Sequence, residues 1–228
     1  MKVVAVIQAR MGSTRLRGKS LMKLSNFTLL ETVIRSIKRN DFIDDIVVAT
    51  SNLPEDDEIE ELCNTNRFKL YRGDSVDVLS RFIAVAETLD PEDTLVRVTS
   101  DNPINNTNAT NEVFQHHVAN KNDYTCIKGL SHTIYEFINV KALLSLRQIN
   151  DLTPDDREHV TKYIRERSGL FKISEISPNS LGVKTDLDKL LTVDTKEDYQ
   201  RFMSIKYEID LDNTIDMSVL YKLMSSKY

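Results

Sequence analysis

The sequence is poor in the residues that build disulfide scaffolds, metal clusters and flexible tethers. Cys63 and Cys126 are its only cysteines. They lie far apart and match no metal-ligand spacing, so they read as two reduced thiols. Six glycines and five prolines in 228 residues leave no linker rich in Gly, Pro or Ser. Internal repeats and low-complexity tracts are absent. No apolar run approaches the ~18 residues of a membrane span. The N-terminal apolar stretch is too short for a secretory signal, and Arg10 follows it closely. An excess of positive charge is missing as well. The net charge is -5, which excludes a protein-wide basic surface for nucleic acid. What remains is a soluble chain, cytoplasmic by default, with neither nucleic acid nor membrane as a partner.

Hydrophobic residues make up 40% and charged residues 29%, enough apolar material for a sizeable core. The first two thirds of the chain alternate strand and helix patterns. Val3 to Ile7 reads as a buried, mostly β-branched strand. Leu29, Leu30, Val33, Ile34 and Ile37 then mark one face of a helix. Further strands are expected at Ile46–Ala49, Phe68–Tyr71 and Leu95–Thr99, with helices from Pro54, over about Val76–Leu89 and over about Asn108–Ala119. This alternation predicts an α/β fold: a mainly parallel sheet with helices on both faces. After residue 120 the pattern loosens. Strands are expected at Tyr124–Lys128, Thr133–Ile138 and Leu190–Val193. Helices are expected at Val140–Ile149, Asp155–Arg167, Lys196–Ile205 and Met217–Met224, and Ile209–Tyr228 is apolar enough to pack. One domain over residues 1–228, with an excursion at about 125–178, accounts for the whole chain.

Positive charge is concentrated in one place. The stretch QARMGSTRLRGKSL, Gln8 to Leu21, carries Arg10, Arg15, Arg17 and Lys19 with Gly12 and Gly18. A strand, a glycine-containing basic loop and a helix make a common anion cradle, because backbone N–H groups and basic side chains face the ligand together. The loop fits neither G-x-x-x-x-G-K-[ST] nor G-x-G-x-x-G. Asp101 and Asp194 each follow an expected strand, and neighbouring parallel strands would bring their ends together. Two carboxylates beside a phosphate cradle suit Mg²⁺. Each aspartate also reads as ordinary local chemistry: Asp101 before Asn-Pro as a turn residue, Asp194 before Thr-Lys-Glu-Asp as a helix cap. Glu55-Asp56-Asp57 after Pro54 reads as helix-start chemistry rather than a metal site. His116-His117 sits on an ordinary helix. No Ser-His-Asp signature is present.

The segments QARMGSTRLRGKSL, VVATSNLPEDDEIEELC, YRGDSVDVLSRF, VRVTSDNP, DDREHVTKYIRE and LTVDTKEDY occur in an order that resembles the cytidylyltransferases. The nearest resemblance is to the SpsF-like (spore coat polysaccharide) branch, related to CMP-sialic acid and CMP-KDO synthetases. It spans roughly residues 2–205. It implies a Rossmann-like, three-layer α/β/α nucleotidyltransferase fold of the glycosyltransferase-A kind, and a homodimer built through the excursion. It implies that Gln8, Ala9 and Arg10 wrap the base and ribose of CTP. Arg10, Gly12, Ser13, Arg15 and Lys19 would hold the triphosphate, with Arg81 and Thr99 beside the nucleotide. Asp101 and Asp194 would bind Mg²⁺, and Lys19, Arg15 and Asp101 would carry catalysis.

Two departures stand out. Arg17 occupies a position where such proteins usually have proline, which adds charge and loses a backbone restraint. KGLSHTIYEF differs from a Pro-x-Gly-x-Asp-x-Glu pattern: Glu136 is kept, Ile134 takes the Asp position and His132 replaces Gly. The expected acceptor residues are therefore Glu136, His132, Arg157 and His159. Asp156 and Glu158 belong to the same acceptor or dimer segment, whose Val160, Tyr163 and Ile164 also read as an amphipathic helix. The expected activity is CMP transfer from CTP to a small acceptor, a sugar or sugar acid for surface polysaccharide, with release of pyrophosphate. A second reading keeps the chemistry but takes a phosphorylated or phosphonate acceptor. A third is a catalytically silent nucleotide-binding subunit, against which the retention of Lys19, Asp101 and Asp194 argues.

Overall fold

A computed structural model describes residues 1–206, 208 and 215–227. Its centre is β1 (Val3–Gln8), whose apolar residues are buried on both faces. β1 pairs in parallel with β2 (Asp45–Ser51) on one side and β4 (Thr94–Thr99) on the other. β3 (Lys69–Gly73) extends the β2 side in parallel. β6 (Glu136–Asn139) runs antiparallel to β4, β5 (Tyr124–Ile127) runs antiparallel to β6, and β7 (Ile173–Ile176) is parallel to β5. The sheet order is β3-β2-β1-β4-β6-β5-β7. Strands β5 to β7 of the segment read as an excursion are thus hydrogen-bonded into the main sheet.

Side-chain alternation divides the core in two. Val3, Ala5 and Ile7 pack under α1 (Leu29–Ile37), α2 (Asp57–Asn66) and α4 (Thr107–Asn120). Val4 and Val6 pack under α3 (Val78–Ala86) and α5 (Val140–Ser145). Phe42, Phe114 and Phe137 fill the first layer, the first two stacked with centroids 4.2 Å apart. This is the expected Rossmann-like sandwich. A third cluster joins Leu24 and Ile104 to Leu187 of α8 (Thr185–Asp188), Leu191, Val193, Phe202 of α9 (Lys196–Ile205) and Met224 of α10 (Met217–Lys227). The expected packing of the C-terminal stretch holds for 217–227, while Ile209–Thr214 lie outside the described residues.

Sequence order and sheet order part company between β1 and β4. The chain builds outward from β1 through β2 to β3, then returns to β4 on the other side. Such a switch point opens a crevice at the carboxyl ends of the two strands. Gln8 pairs with Thr99 at that edge, so the basic loop and the Ser100–Pro103 turn leave the sheet side by side.

Three expectations are corrected. Asp155–Arg167 is not one helix but two short ones, α6 (Pro154–Glu158) and α7 (Lys162–Arg165). Val160 breaks them with a φ of 44°, held there by its own complete burial and by Thr161, whose hydroxyl donates to Glu136 at 2.7 Å. Leu190–Val193 is not a strand. A 3₁₀ turn covers Lys189–Leu191, and the extended residues after it make a single backbone bond, Val193 N–H to Asp101 C=O at 2.9 Å. β6 starts at Glu136 rather than Thr133, because the Thr133 hydroxyl is engaged by Asp188 and its carbonyl by Asn105 and Asn106.

Phe137 is fully buried within the aromatic group. Phe137→Ala should destabilise the fold by about 3–5 kcal/mol, the cost of lost transfer plus a cavity. A guanidinium unfolding curve would read this as a lower midpoint at unchanged slope.

Candidate active site

The loop after β1 is shaped by its own backbone. The carbonyl of Met11 accepts from Ser13 N–H and Gly18 N–H, both at 2.9 Å, which folds 11–18 into a closed turn. Gly18 closes it at a φ of 72°, a left-handed conformation that favours glycine. The chain then enters a 3₁₀ turn at Lys19–Leu21, with Lys19 directed inward. Asp56 anchors the loop to β2: its carboxylate accepts from Met11 N–H (2.7 Å), Ser51 N–H (3.1 Å) and the Ser51 hydroxyl (2.5 Å). The acidic run at 55–57 does open a 3₁₀ turn and then α2 as its helix-start reading expected, but without a side-chain cap bond, and Asp56 is instead the loop's anchor. Gly12 stands where a Cβ would lie 2.4 Å from Glu55 Oε1, so a side chain there would push the Glu55 carboxylate aside.

Lys19 is the centre of the site. Its Nζ lies 2.8 Å from Asp101 Oδ2 and 2.7 Å from Asp194 Oδ1. Arg15 adds a second cation at 2.9 Å from Asp194 Oδ2. The two aspartates meet, though not as the ends of paired strands. Asp101 sits in the turn after β4, and the Val193–Asp101 backbone bond brings Asp194 alongside. A capping box then fixes Asp194. The Asp198 carboxylate accepts from the N–H groups of Asp194 (3.1 Å) and Thr195 (2.9 Å), while the Thr195 hydroxyl accepts from Asp198 N–H. Burial opposes ionisation of Asp101, but Lys19 and hydrogen bonds from Lys19 and Thr99 hold its carboxyl below the usual carboxylate range.

Two clefts meet along this carboxylate pair. The first, ≈ 200 Å³, is lined by Gln8, Ala9, Arg10, Ser13, Arg15, Lys19, Arg81, Thr99, Asp101 and Asp194. His159 also lines it, although it was expected at the acceptor. Thr14, Val78, Ser100 and Glu158 complete the wall. The second cleft, ≈ 220 Å³, shares Thr99, Asp101 and Asp194 with the first and holds His132 and Glu136. Gly12 and Arg157 line neither. Gly12 backs onto Glu55, and Arg157 is spent on Asp77 at 2.6 Å, where Asp77 also caps α3. Arg17 points to Glu55 at 3.4 Å with its side chain 81% exposed, a pair of little energetic weight.

Arg81 is unusual. It is 2% exposed, donates from Nη1 to the Ala49 carbonyl at 3.2 Å, and its Nε has no partner among the described residues. Burial, then the neighbouring charge of Arg10, lowers its pKa. A buried, incompletely paired guanidinium facing a cleft is a poised anion receptor. The strained turn at Val160 lies opposite, between Glu158 and His159 in the first cleft and Thr161 on Glu136. A left-handed β-branched residue costs about 1–3 kcal/mol and persists where surrounding contacts enforce it.

Other candidates are structural. Burial pushes the Cys63 thiol up to about 11 and the Cys126 thiol up to about 12, so both stay protonated at neutral pH. Burial pushes His117 down to about 4, and it shares a hydrogen bond with Thr125 at 2.9 Å. The residues missed by sequence reasoning, Thr14, Ser100, Asn102 and Thr192, are neutral side chains in turns. Only their places directly after β1 and β4, or beside Asp194, signalled them.

Glu136 offers a test of this electrostatic frame. Burial opposes its ionisation, yet Arg97, Tyr124 and Thr161 hold its carboxyl below its ordinary 4.5. A depressed folded pKa adds stability above the ordinary value and loses it as pH falls through that value towards the lower folded one. Glu136→Gln should cost roughly 1.5–3 kcal/mol at pH 7. It should also shallow the acid loss of stability below pH 4.5, as urea unfolding across pH would report. Parallel pH profiles for the two proteins would refute the assignment.

Among the described residues no helix is long and apolar enough to cross a membrane. The sequence matches the cytidylyltransferase family profile over residues 4–225. It is 34% identical to an uncharacterized protein of Methanocaldococcus jannaschii over 93% of this chain and 86% of that protein. It is 32% identical to the spore coat polysaccharide biosynthesis protein SpsF of Bacillus subtilis, over 98% of this chain and 94% of that one. Among solved structures it resembles a cytidylyltransferase from Leptospira borgpetersenii, with a TM-score of 0.84 and 28% identity over 99% of this chain and 95% of the other. A CMP-2-keto-3-deoxy-manno-octonic acid synthetase complexed with CTP shares the fold at a TM-score of 0.69 and 14% identity, over 91% of this chain and 99% of that one. Fold, sequence and the cationic cleft beside two aspartates agree: this chain belongs to the cytidylyltransferase family.

Proposed function

We propose that this protein transfers CMP from CTP to a small acceptor, a sugar or sugar acid destined for surface polysaccharide, and releases pyrophosphate. The observation that carries the reading is the convergence of Asp101 and Asp194 on one cation, Lys19, along the ridge between two clefts. The ridge is where a nucleotide in one cleft would meet an acceptor in the other. Likeness to SpsF, a spore coat polysaccharide biosynthesis protein, supports the choice of acceptor class.

Arg10, Ser13, Arg15, Lys19 and Arg81 are placed to hold the triphosphate. Arg81 gains in this role the anionic partner its Nε lacks. Gln8, Ala9 and Thr99 form the floor beneath the nucleoside. The two carboxylates suit Mg²⁺ as hard oxygen donors; both now face Lys19 Nζ, which would shift towards the phosphates when the ion binds. Magnesium typically takes one or two carboxylates and completes its shell with water and phosphate oxygens. Bound there, it would neutralise charge building on the phosphates and orient the displacement. Lys19 and Arg15 face the same developing charge, and one well-placed donor is worth about 10²–10³ in rate.

A thermal-shift panel of CTP, UTP, ATP and GTP with Mg²⁺ tests the nucleotide assignment. CTP at 100 times its Kd should stabilise the fold by about 2.7 kcal/mol, with smaller effects from the others. No shift specific to CTP would sink it. Asp101→Asn should lower pyrophosphate release at least about 10²-fold while far-UV circular dichroism stays unchanged. Turnover at the wild-type level would remove Asp101 from the metal role.

A further inference from the structure

The charge around the carboxylate pair balances before any nucleotide arrives. Asp194 has a cation at each oxygen: Lys19 Nζ lies 2.7 Å from Oδ1, and Arg15 Nη2 lies 2.9 Å from Oδ2. The same ammonium lies 2.8 Å from Asp101 Oδ2. Two carboxylates and two cations leave this group neutral as a unit. The rest of the first cleft sets Arg10 and Arg81 against Glu158, so its fixed charge is positive. A divalent ion approaching the nucleotide-free protein meets no net attraction there, and magnesium gives up its water reluctantly. It also meets a competitor for position. The Lys19 side chain is only 9% exposed, and its ammonium contacts both carboxylates that the ion needs.

Lysine suits the part of a stand-in cation. Its charge is a compact ammonium on a flexible four-carbon stem. The backbone at the base of that stem is fixed. Lys19 N–H donates to Leu16 C=O at 3.3 Å, and Lys19 C=O accepts from Met22 N–H at 3.1 Å. Lys19 also lines the first cleft. Rotation of its side chain alone is therefore enough to carry the ammonium from the carboxylates to an anion in that cleft.

Resting on the CTP-dependent reading above, we propose that Lys19 holds the metal position in the nucleotide-free protein, so that CTP binds first and the divalent ion follows. The triphosphate draws the ammonium off, uncovers Asp101 and Asp194, and turns the cleft negative. Lys19 thereby couples the two ligands through one side chain, and such a coupling is reciprocal. Without the ammonium, the carboxylate pair is open to metal in the absence of nucleotide. Arg15 does not share this part: its side chain is 65% exposed and contacts Asp194 alone.

The test is Mn²⁺ binding to the full chain, read from the electron paramagnetic resonance signal of the free ion, which needs no turnover. Mn²⁺ replaces Mg²⁺ as the probe because it takes the same oxygen ligands. Without nucleotide, Lys19→Met should bind Mn²⁺ about tenfold or more tightly than the wild type, within the usual range of couplings between sites. Arg15→Gln, which removes a cation and leaves Lys19 in place, should gain distinctly less. CTP in the presence of EDTA should still raise the wild-type melting temperature. Nucleotide-free wild type that binds Mn²⁺ as tightly as Lys19→Met overturns the inference. So does an equal gain in Arg15→Gln, or a CTP shift that requires metal; the nucleotide reading stands in each case. If Lys19→Met does not fold, the wild-type arms decide: micromolar Mn²⁺ binding without nucleotide, or CTP binding only with metal, overturns the order. Absence of any CTP shift, with or without Mg²⁺, instead overturns the nucleotide reading, and the order with it.

Discussion

The position of the Lys19 ammonium between Asp101 and Asp194 is the constraint on which the site depends. The three residues come from three distant parts of the chain and meet within hydrogen-bond distance. A buried lysine is tolerable only when paired, and two carboxylates this close are tolerable only with a cation between them. Each group therefore fixes the others. The closed 11–18 turn sets Lys19, the end of β4 sets Asp101, and the Thr195–Asp198 capping box sets Asp194. The C-terminal cluster of α9 and α10 contributes to the site through that box, because it holds the 191–193 segment against the end of β4.

Charge is distributed unequally across this ridge. On one side Arg10, Arg15 and Arg81 face a common cleft, and Arg81 is buried there with an unpartnered nitrogen. On the other side the single guanidinium is neutralised by Glu136. Within the first cleft Arg15 and Lys19 are themselves paired with Asp194, and Arg10 lies 3.9 Å from Glu158. Arg81 is the cation there that meets a backbone carbonyl rather than a carboxylate among the described residues. An anionic ligand would offset the cost of burying it. The difference lies in what the neighbouring strand presents to the arginine: Glu136 of β6 pairs directly across from Arg97 of β4, whereas β2 offers Arg81 on α3 the backbone carbonyl of Ala49.

Much of this was legible in the sequence, for physical reasons. Buried parallel strands are continuous apolar runs, so β1, β2 and β4 and the loops at their carboxyl ends could be placed. Helices with strong caps, such as α1 and α9, have the expected bounds because Thr28 and Thr195 begin capping boxes. The pairing of Asp101 with Asp194 was anticipated for the wrong reason, since one backbone bond replaces the expected strand. The break at Val160 was illegible. Propensity argues against a left-handed valine, and only burial and the Thr161–Glu136 contact enforce it. Placement of His159 in the first cleft follows from that break, so it was missed for the same cause. Asn102 and Thr192 were invisible because a neutral turn residue gains meaning only from what the chain brings beside it.

The Val160 turn also joins the two clefts physically. Glu158 and His159, just before it, line the first cleft. Thr161, just after it, donates to the carboxylate that masks Arg97 on the other side. Val160 is itself locked into the core beneath α3. A continuous helix would place its side chains at regular 100° intervals and could not turn adjacent residues in such different directions. The strain at one buried residue is therefore the local cost of serving both clefts with four consecutive positions. It also explains why an amphipathic spacing that is satisfied at Val160, Tyr163 and Ile164 does not produce the helix it predicts.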